Sequence, residues 1–207
     1  EQVTVFEAAL AFENFFIRVD VLKKNGSDFE LIEVKAKSYS AKKDGTLRRR
    51  NGDIKSDFKP YLLDVAFQRF VAGLALPEAN VRASLMLVGQ ESVATVDGLN
   101  QRFRIRKDGR RTRIEVVADG AAINLGTPIL VSINVDEQVD QLSTGPLPVG
   151  PGQSLPFAEA VRVLAQAYVE DRRIDPPPSR ACGACQFRAD RWPEPGQLKS
   201  GFHECWA

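Results

Sequence analysis

No stretch of the 207-residue sequence approaches the ~18 consecutive apolar residues that a membrane span needs, and the N-terminus has neither the basic nor the apolar region of a secretory signal. Both absences favour a cytoplasmic site. Excess charge of one sign is also missing: 28 basic residues face 27 acidic ones, so a nucleic-acid partner would have to be met by a local basic surface. The three cysteines, Cys182, Cys185 and Cys205, are an odd number crowded into the C-terminal tail, which is too little to staple a domain of this size. No internal repeat is present. What remains is an ordinary globular composition, 43% hydrophobic and 27% charged, sufficient for one sizeable core and a small appendage. The sequon Asn25-Gly26-Ser27, without a secretory signal, reads as a turn.

Residues 3 to 12 alternate partially between apolar and polar, and Glu13-Asn14 suits a two-residue turn into a second strand carrying Asp20. Asn25-Gly26 is the strongest short hairpin signal and delivers a third strand, Phe29 to Ala36, carrying Glu33 and Lys35. Residues two apart on a strand share a face, so Glu33 and Lys35 point the same way, and antiparallel pairing lets Asp20 reach that surface. Two carboxylates and an amine at one sheet edge are the minimum apparatus for a divalent cation and a lysine that orients water. Residues 37 to 58 are polar, rich in lysine and arginine and punctuated by glycines, and read as a mobile basic loop. Its Arg48, Arg49 and Arg50 are candidates for a phosphate backbone, or else a solvated face.

A helix is predicted from Lys59 to Leu76, with Pro60 in its first turn and apolar residues at Leu62, Val65, Ala66, Phe70 and Leu74. Asp64 and Gln68, four apart, are neighbours on one helix face. Asn80 to Val88 is a further strand, expected beside the one carrying Glu33 with this helix as the crossover, which gives an α/β core. Residues 91–150 read as a β-rich insertion with strands near 101–105, 112–117 and 129–134. Arg102, Arg104 and Arg106 alternate there, with Lys107, Arg110, Arg111 and Arg113 close behind. That stripe would grip a nucleic-acid backbone or protect an exposed edge strand by charge. A Gly/Pro linker leads to a helix from Pro156 to about Asp171, stopped by the prolines at 176–178. In the tail, the C-x-x-C spacing of Cys182 and Cys185 aims two thiolates at one ion, and Cys205 returns from a distance. His203 could complete a zinc site; surface thiols are the remaining alternative.

The order of a strand with Asp20, a strand with Glu33-Val34-Lys35, a helix with Gln68 and a further strand resembles the core of the PD-(D/E)xK nuclease superfamily. The tail with Cys182, Cys185 and Cys205 is similar to the iron–sulfur branch of RecB-like nucleases, which includes the CRISPR adaptation exonucleases, and its segment KSGFHECW is similar to the tails of bacterial proteins in that branch. The resemblance covers about residues 3–90 and 180–207. It implies a restriction-endonuclease-like mixed sheet with a nuclease core in 1–90, the inserted region 91–150, and a helix with a cysteine-rich tail in 151–207. It implies Mg²⁺ or Mn²⁺ on Asp20 and Glu33, with Lys35 positioning or helping to activate water. Gln68 would match the glutamine of the family's Q-x-x-x-Y helix. DNA would be the partner, and Cys182, Cys185 and Cys205 would hold a structural 4Fe-4S cluster, with zinc as the alternative. The sequence departs at Ala72, where that helix has tyrosine. It also lacks the N-terminal helix that supplies a His or Glu and the first cluster cysteine, which makes the chain the expected remainder of a longer protein. The rival expectation is a catalytically decayed nucleic-acid-binding module or a zinc-stabilised interaction module.

Overall fold

The computed structural model describes residues 1–109, 111–117, 123–175, 180–185, 187–188, 191–192, 194, 196–197 and 200–206. Two tight hairpins begin it. β1 (Gln2–Phe12) pairs antiparallel with β2 (Phe15–Asn25), which pairs antiparallel with β3 (Asp28–Tyr39). The alternation of β2 explains its seat: Phe15, Ile17 and Val19 are buried, while Phe16 and Arg18 face out. The Asn-Gly signal works as expected. Asn25 pairs with Asp28, and Gly26 takes φ +62, a backbone conformation open to glycine without a Cβ clash.

After β3 come α1 (Ala41–Asp44), a connecting segment and α2 (Lys59–Ala75), which crosses over to β4 (Asn80–Gly89). β4 lies parallel to β3, from Asp28 opposite Asn80 to Val34 opposite Met86 and, after a register shift, from Ser38 opposite Val88 to Tyr39 opposite Gly89. The chain continues through β5 (Phe103–Asp108), β6 (Arg111–Val116) and β7 (Leu130–Asn134) to α3 (Asp136–Thr144). It then makes the small hairpin β8 (Pro146–Gly150) and β9 (Gln153–Pro156), α4 (Phe157–Val169) and the short α5 (Gly201–Trp206). The principal sheet runs β1-β2-β3-β4-β7 and is mixed, so the α/β class and the crossover are present. The core lies between this sheet and α2 with α3, around Leu31, Leu85 and Leu87 of the strands, Leu62, Val65 and Val71 of α2, and Val139 of α3. Among the described residues no helix is long and apolar enough to cross a membrane.

Three features differ from the sequence reading. Residues 37–58 are packed onto the fold rather than wholly solvated: Leu47 is fully buried, Phe58 is 1% exposed, and Arg48 and Ile54 form a backbone bridge. Ser40 caps α1 by accepting from Lys43 N, and the Gln138 amide donates to Thr46 O at 2.7 Å, tying the segment to α3. Two apolar anchors and these polar contacts seat a polar segment against the rest of the fold. The second difference lies in 91–150. Within it, β7 is a strand of the principal sheet, paired with β4, and the unpredicted α3 packs against α2. Arg69 of α2 binds Asp136 and Asp140 of α3, and Asp136 also accepts from Ala83 N at 2.7 Å. Among the described residues β5–β6 and β8–β9 are separate two-stranded sheets, while β7 belongs to the principal sheet, so 91–150 is not one β-rich insertion. Third, the buried helix face is rotated from the expected stripe: Val71 and Ala72 are buried, whereas Phe70 and Leu74 are half-buried. The prolines at 176–178 lie outside the described residues.

Candidate active site

The site forms where the sheet forks. β2 and β3 pair only from Val21 opposite Ile32 to Asn25 opposite Asp28. One residue beyond Val21, the ladder stops at Asp20. Its Oδ2 accepts from Val34 N at 2.8 Å, a side chain taking the place of a strand partner. The same level is irregular on the other side of β2: Glu7, between Phe6 opposite Val21 and Ala8 opposite Val19, takes φ +55 and pairs with Arg18 at 2.7 Å. Beyond the fork the β1–β2 ribbon closes over α2, with Phe15 edge-on to Phe67 and Phe70 at about 6 Å.

On β3, Glu33 and Lys35 share the face toward α2, where Asp64 and Gln68 lie one turn apart. The four side chains close a ring. Lys35 Nζ donates to Glu33 Oε1 at 2.5 Å and to Asp64 Oδ2 at 2.8 Å. Gln68 Nε2 donates to Glu33 Oε2 at 2.8 Å and to Asp64 Oδ1 at 3.3 Å. Each carboxylate thus receives both donors. Glu33 and Gln68 are each 6% exposed, and a carboxylate this deep is tolerable only because both its oxygens are satisfied. Gln68 Oε1 has no partner, which leaves one unspent acceptor beside the ring. Burial works to lower the Lys35 pKa, but its hydrogen bonds and charge attraction to Asp64 and Glu33 outweigh that and raise it above the ordinary lysine value. Lys35 is therefore an ammonium donor at neutral pH. Two carboxylates against one ammonium leave the ring one negative charge, and Asp20 at the fork adds a second.

The expected residues Glu33, Lys35 and Gln68 meet directly, and Asp20 stands beside them on the backbone of Val34. Asp64, which the sequence marks only as a neighbour of Gln68, is a full member of the ring. Among the described residues no three His, Cys, Asp or Glu side chains stand together as a metal-holding group. Of the basic candidates, Arg48 donates to Gly52 O and to the Gln141 side chain, Arg49 donates to Ser56 Oγ at 2.8 Å, and Arg50 is exposed. Arg104 and Arg106 lie on the exposed β5, with Arg106 paired to Glu115 at 3.0 Å; Arg110 lies outside the described residues.

In the tail, Cys185 N donates to Cys182 O at 3.2 Å, closing the C-x-x-C turn, and all three thiols are half-buried and not disulfide-bonded. The His203 ring is 2% exposed, stacks on Trp192 with centroids 4.4 Å apart, and shares a hydrogen bond between Nδ1 and Ser200 Oγ at 3.0 Å.

Comparison of the chain with protein-family models, with curated proteins and with solved structures returns no match.

Proposed function

We propose that the chain is a metal-dependent nuclease of the PD-(D/E)xK type, with a restriction-endonuclease-like sheet, that hydrolyses DNA phosphodiester bonds. The observation that carries this reading is the ring of Glu33, Lys35, Asp64 and Gln68 set at the fork capped by Asp20, with two net negative charges. The donors suit Mg²⁺ or Mn²⁺: they are hard carboxylate oxygens, and magnesium commonly takes only one or two protein carboxylates, completing its shell with water and substrate phosphate. Such an ion would supply Lewis-acid charge at the scissile phosphate. Asp20 and Glu33 would hold it. Lys35, as a charged donor, would orient the attacking water and screen the phosphate rather than take a proton. Gln68 fixes the Glu33 carboxylate by donating to Oε2.

The cysteine tail does not by itself fit a four-iron cluster, which takes four thiolates where this chain offers three. A cluster or a zinc ion there would need a further ligand, and no catalytic step is routed through it. A second reading, a decayed nucleic-acid-binding module, is favoured by Ala72. It is fully buried, so the helix one turn past Gln68 packs into the core instead of presenting a tyrosine hydroxyl.

The test is Mn²⁺-dependent degradation of linear DNA by the purified chain. Lys35→Ala and Asp20→Asn are each expected to abolish it while circular dichroism stays native. Undiminished cleavage by Lys35→Ala would remove the assignment. Mn²⁺ binding that survives Asp20→Asn would favour the decayed module.

A further inference from the structure

We propose that Asp64 is a positioning residue for Lys35, which draws the ammonium off Glu33 and so sets how strongly the Asp20–Glu33 pair takes a divalent cation. The inference rests on the metal-binding reading of those two carboxylates and goes beyond it in assigning a role to a helix residue. Lys35 Nζ lies 2.5 Å from Glu33 Oε1 and 2.8 Å from Asp64 Oδ2, so its one charge is divided between two carboxylates. Without the Asp64 charge, the ammonium has a single carboxylate left in the ring and settles on Glu33, the residue whose charge the cation needs. With a cation on Glu33 the reverse holds: like charges repel, and Asp64 is the acceptor already in place to receive the displaced ammonium. Gln68 Nε2, bonded to both carboxylates, fixes their spacing, so Lys35 passes from one to the other without any change in the backbone. Asp64 itself is suited to this task rather than to packing, since its side chain is 42% exposed and sits on the surface of α2.

Mn²⁺ titration followed by electron paramagnetic resonance of the free ion, on wild type, Asp64→Asn, Lys35→Gln and the double variant, tests this. In the wild-type background Asp64→Asn is expected to weaken Mn²⁺ binding about tenfold, and in the Lys35→Gln background by no more than about threefold, because the residue it acts through is gone. Lys35→Gln alone tightens binding. The same loss in both backgrounds overturns the proposal, since Asp64 would then act on the ion directly. So does unchanged affinity in Asp64→Asn, whatever happens to its melting temperature, because a merely structural residue moves Tm and not the ion. Failure of the wild type to bind Mn²⁺ has a different signature: all four proteins are then alike, and it is the metal-binding reading beneath the proposal that falls.

Discussion

Gln68→Glu turns one donor of the ring into a third carboxylate and should produce a stability defect that grows with pH. In the native ring Nε2 sits 2.8 Å from Glu33 Oε2 with both residues 6% exposed, so the new oxygen cannot move into water. Two unit charges about 3 Å apart at an effective dielectric of about 20 repel by roughly 5 kcal/mol. The lost charge-assisted hydrogen bond would add about 1.5–3 kcal/mol, and Lys35 offsets part of the sum. The protein's escape is to keep a proton on the new carboxyl, whose O–H then donates to Glu33 as the amide did. Its folded pKa is therefore raised above the unfolded value, the folded state binds more protons, and stability falls as pH rises. The cost of holding that proton is small near about pH 5 and grows by about 1.4 kcal/mol per pH unit until simple repulsion becomes cheaper, giving a deficit of about 3–5 kcal/mol near about pH 8. Urea unfolding followed by circular dichroism across that range measures it. A deficit that does not change with pH, or one below about 1 kcal/mol near about pH 8, would mean that the new carboxylate is solvated and the ring is not closed.

Other contacts make separate claims. Asp44 accepts from Ser40 N and from Lys55 Nζ, and although burial opposes it, these hold its pKa below the ordinary 3.8. Asp44→Asn should therefore cost about 2 kcal/mol at neutral pH, a difference that vanishes as pH falls through the folded value, in urea titrations at several pH values. Leu47→Ala should cost about 2–5 kcal/mol and, by releasing the 37–58 segment, expose Arg48, Arg49 and Arg50 to trypsin within minutes under conditions where the wild type resists. Ile105→Thr with Ile114→Thr should leave the unfolding free energy from urea titration unchanged to within about 0.5 kcal/mol, because both side chains are more than two-thirds exposed on the β5–β6 ribbon, at 70% and 68%.

The elements that were legible in the sequence are those whose signal is local. The alternation of Phe15, Ile17 and Val19, the glycine at 26 and the apolar stripe after Pro60 each fix an element within a few residues, and β1, β2, β3, α2 and β4 follow. α3 was not legible because DEQVDQLST contributes only Val139 and Leu142 to the core, fewer than a helical stripe needs, and its stability comes from partners elsewhere. Arg69 on α2 and the Ala83 amide on β4 both bind Asp136, and neither can be read from residues 136–144. β7 is a similar case: a five-residue strand announces itself, but not that its partner is β4 rather than its neighbours β5 and β6.

For the site, the missing step was one of pitch rather than of chemistry. Two residues along a strand advance about 6.6 Å, and four residues along a helix advance about 6 Å. A helix that crosses over a strand in the opposite direction can therefore match E-x-K on the strand with D-x-x-x-Q on the helix, two contacts in step. Once Gln68 is set over Glu33, Asp64 must fall over Lys35, as it does at 2.8 Å. Asp64 was thus available to sequence reasoning through its spacing to Gln68. Asp20 was available only as a face, since its bond to Val34 N depends on where the β2–β3 ladder ends. The spacing decides which side chains can meet. The fork, where the β2–β3 ladder ends at Val21 beside Glu7 at φ +55, decides that Asp20 spends an oxygen on Val34 N instead of facing a strand partner.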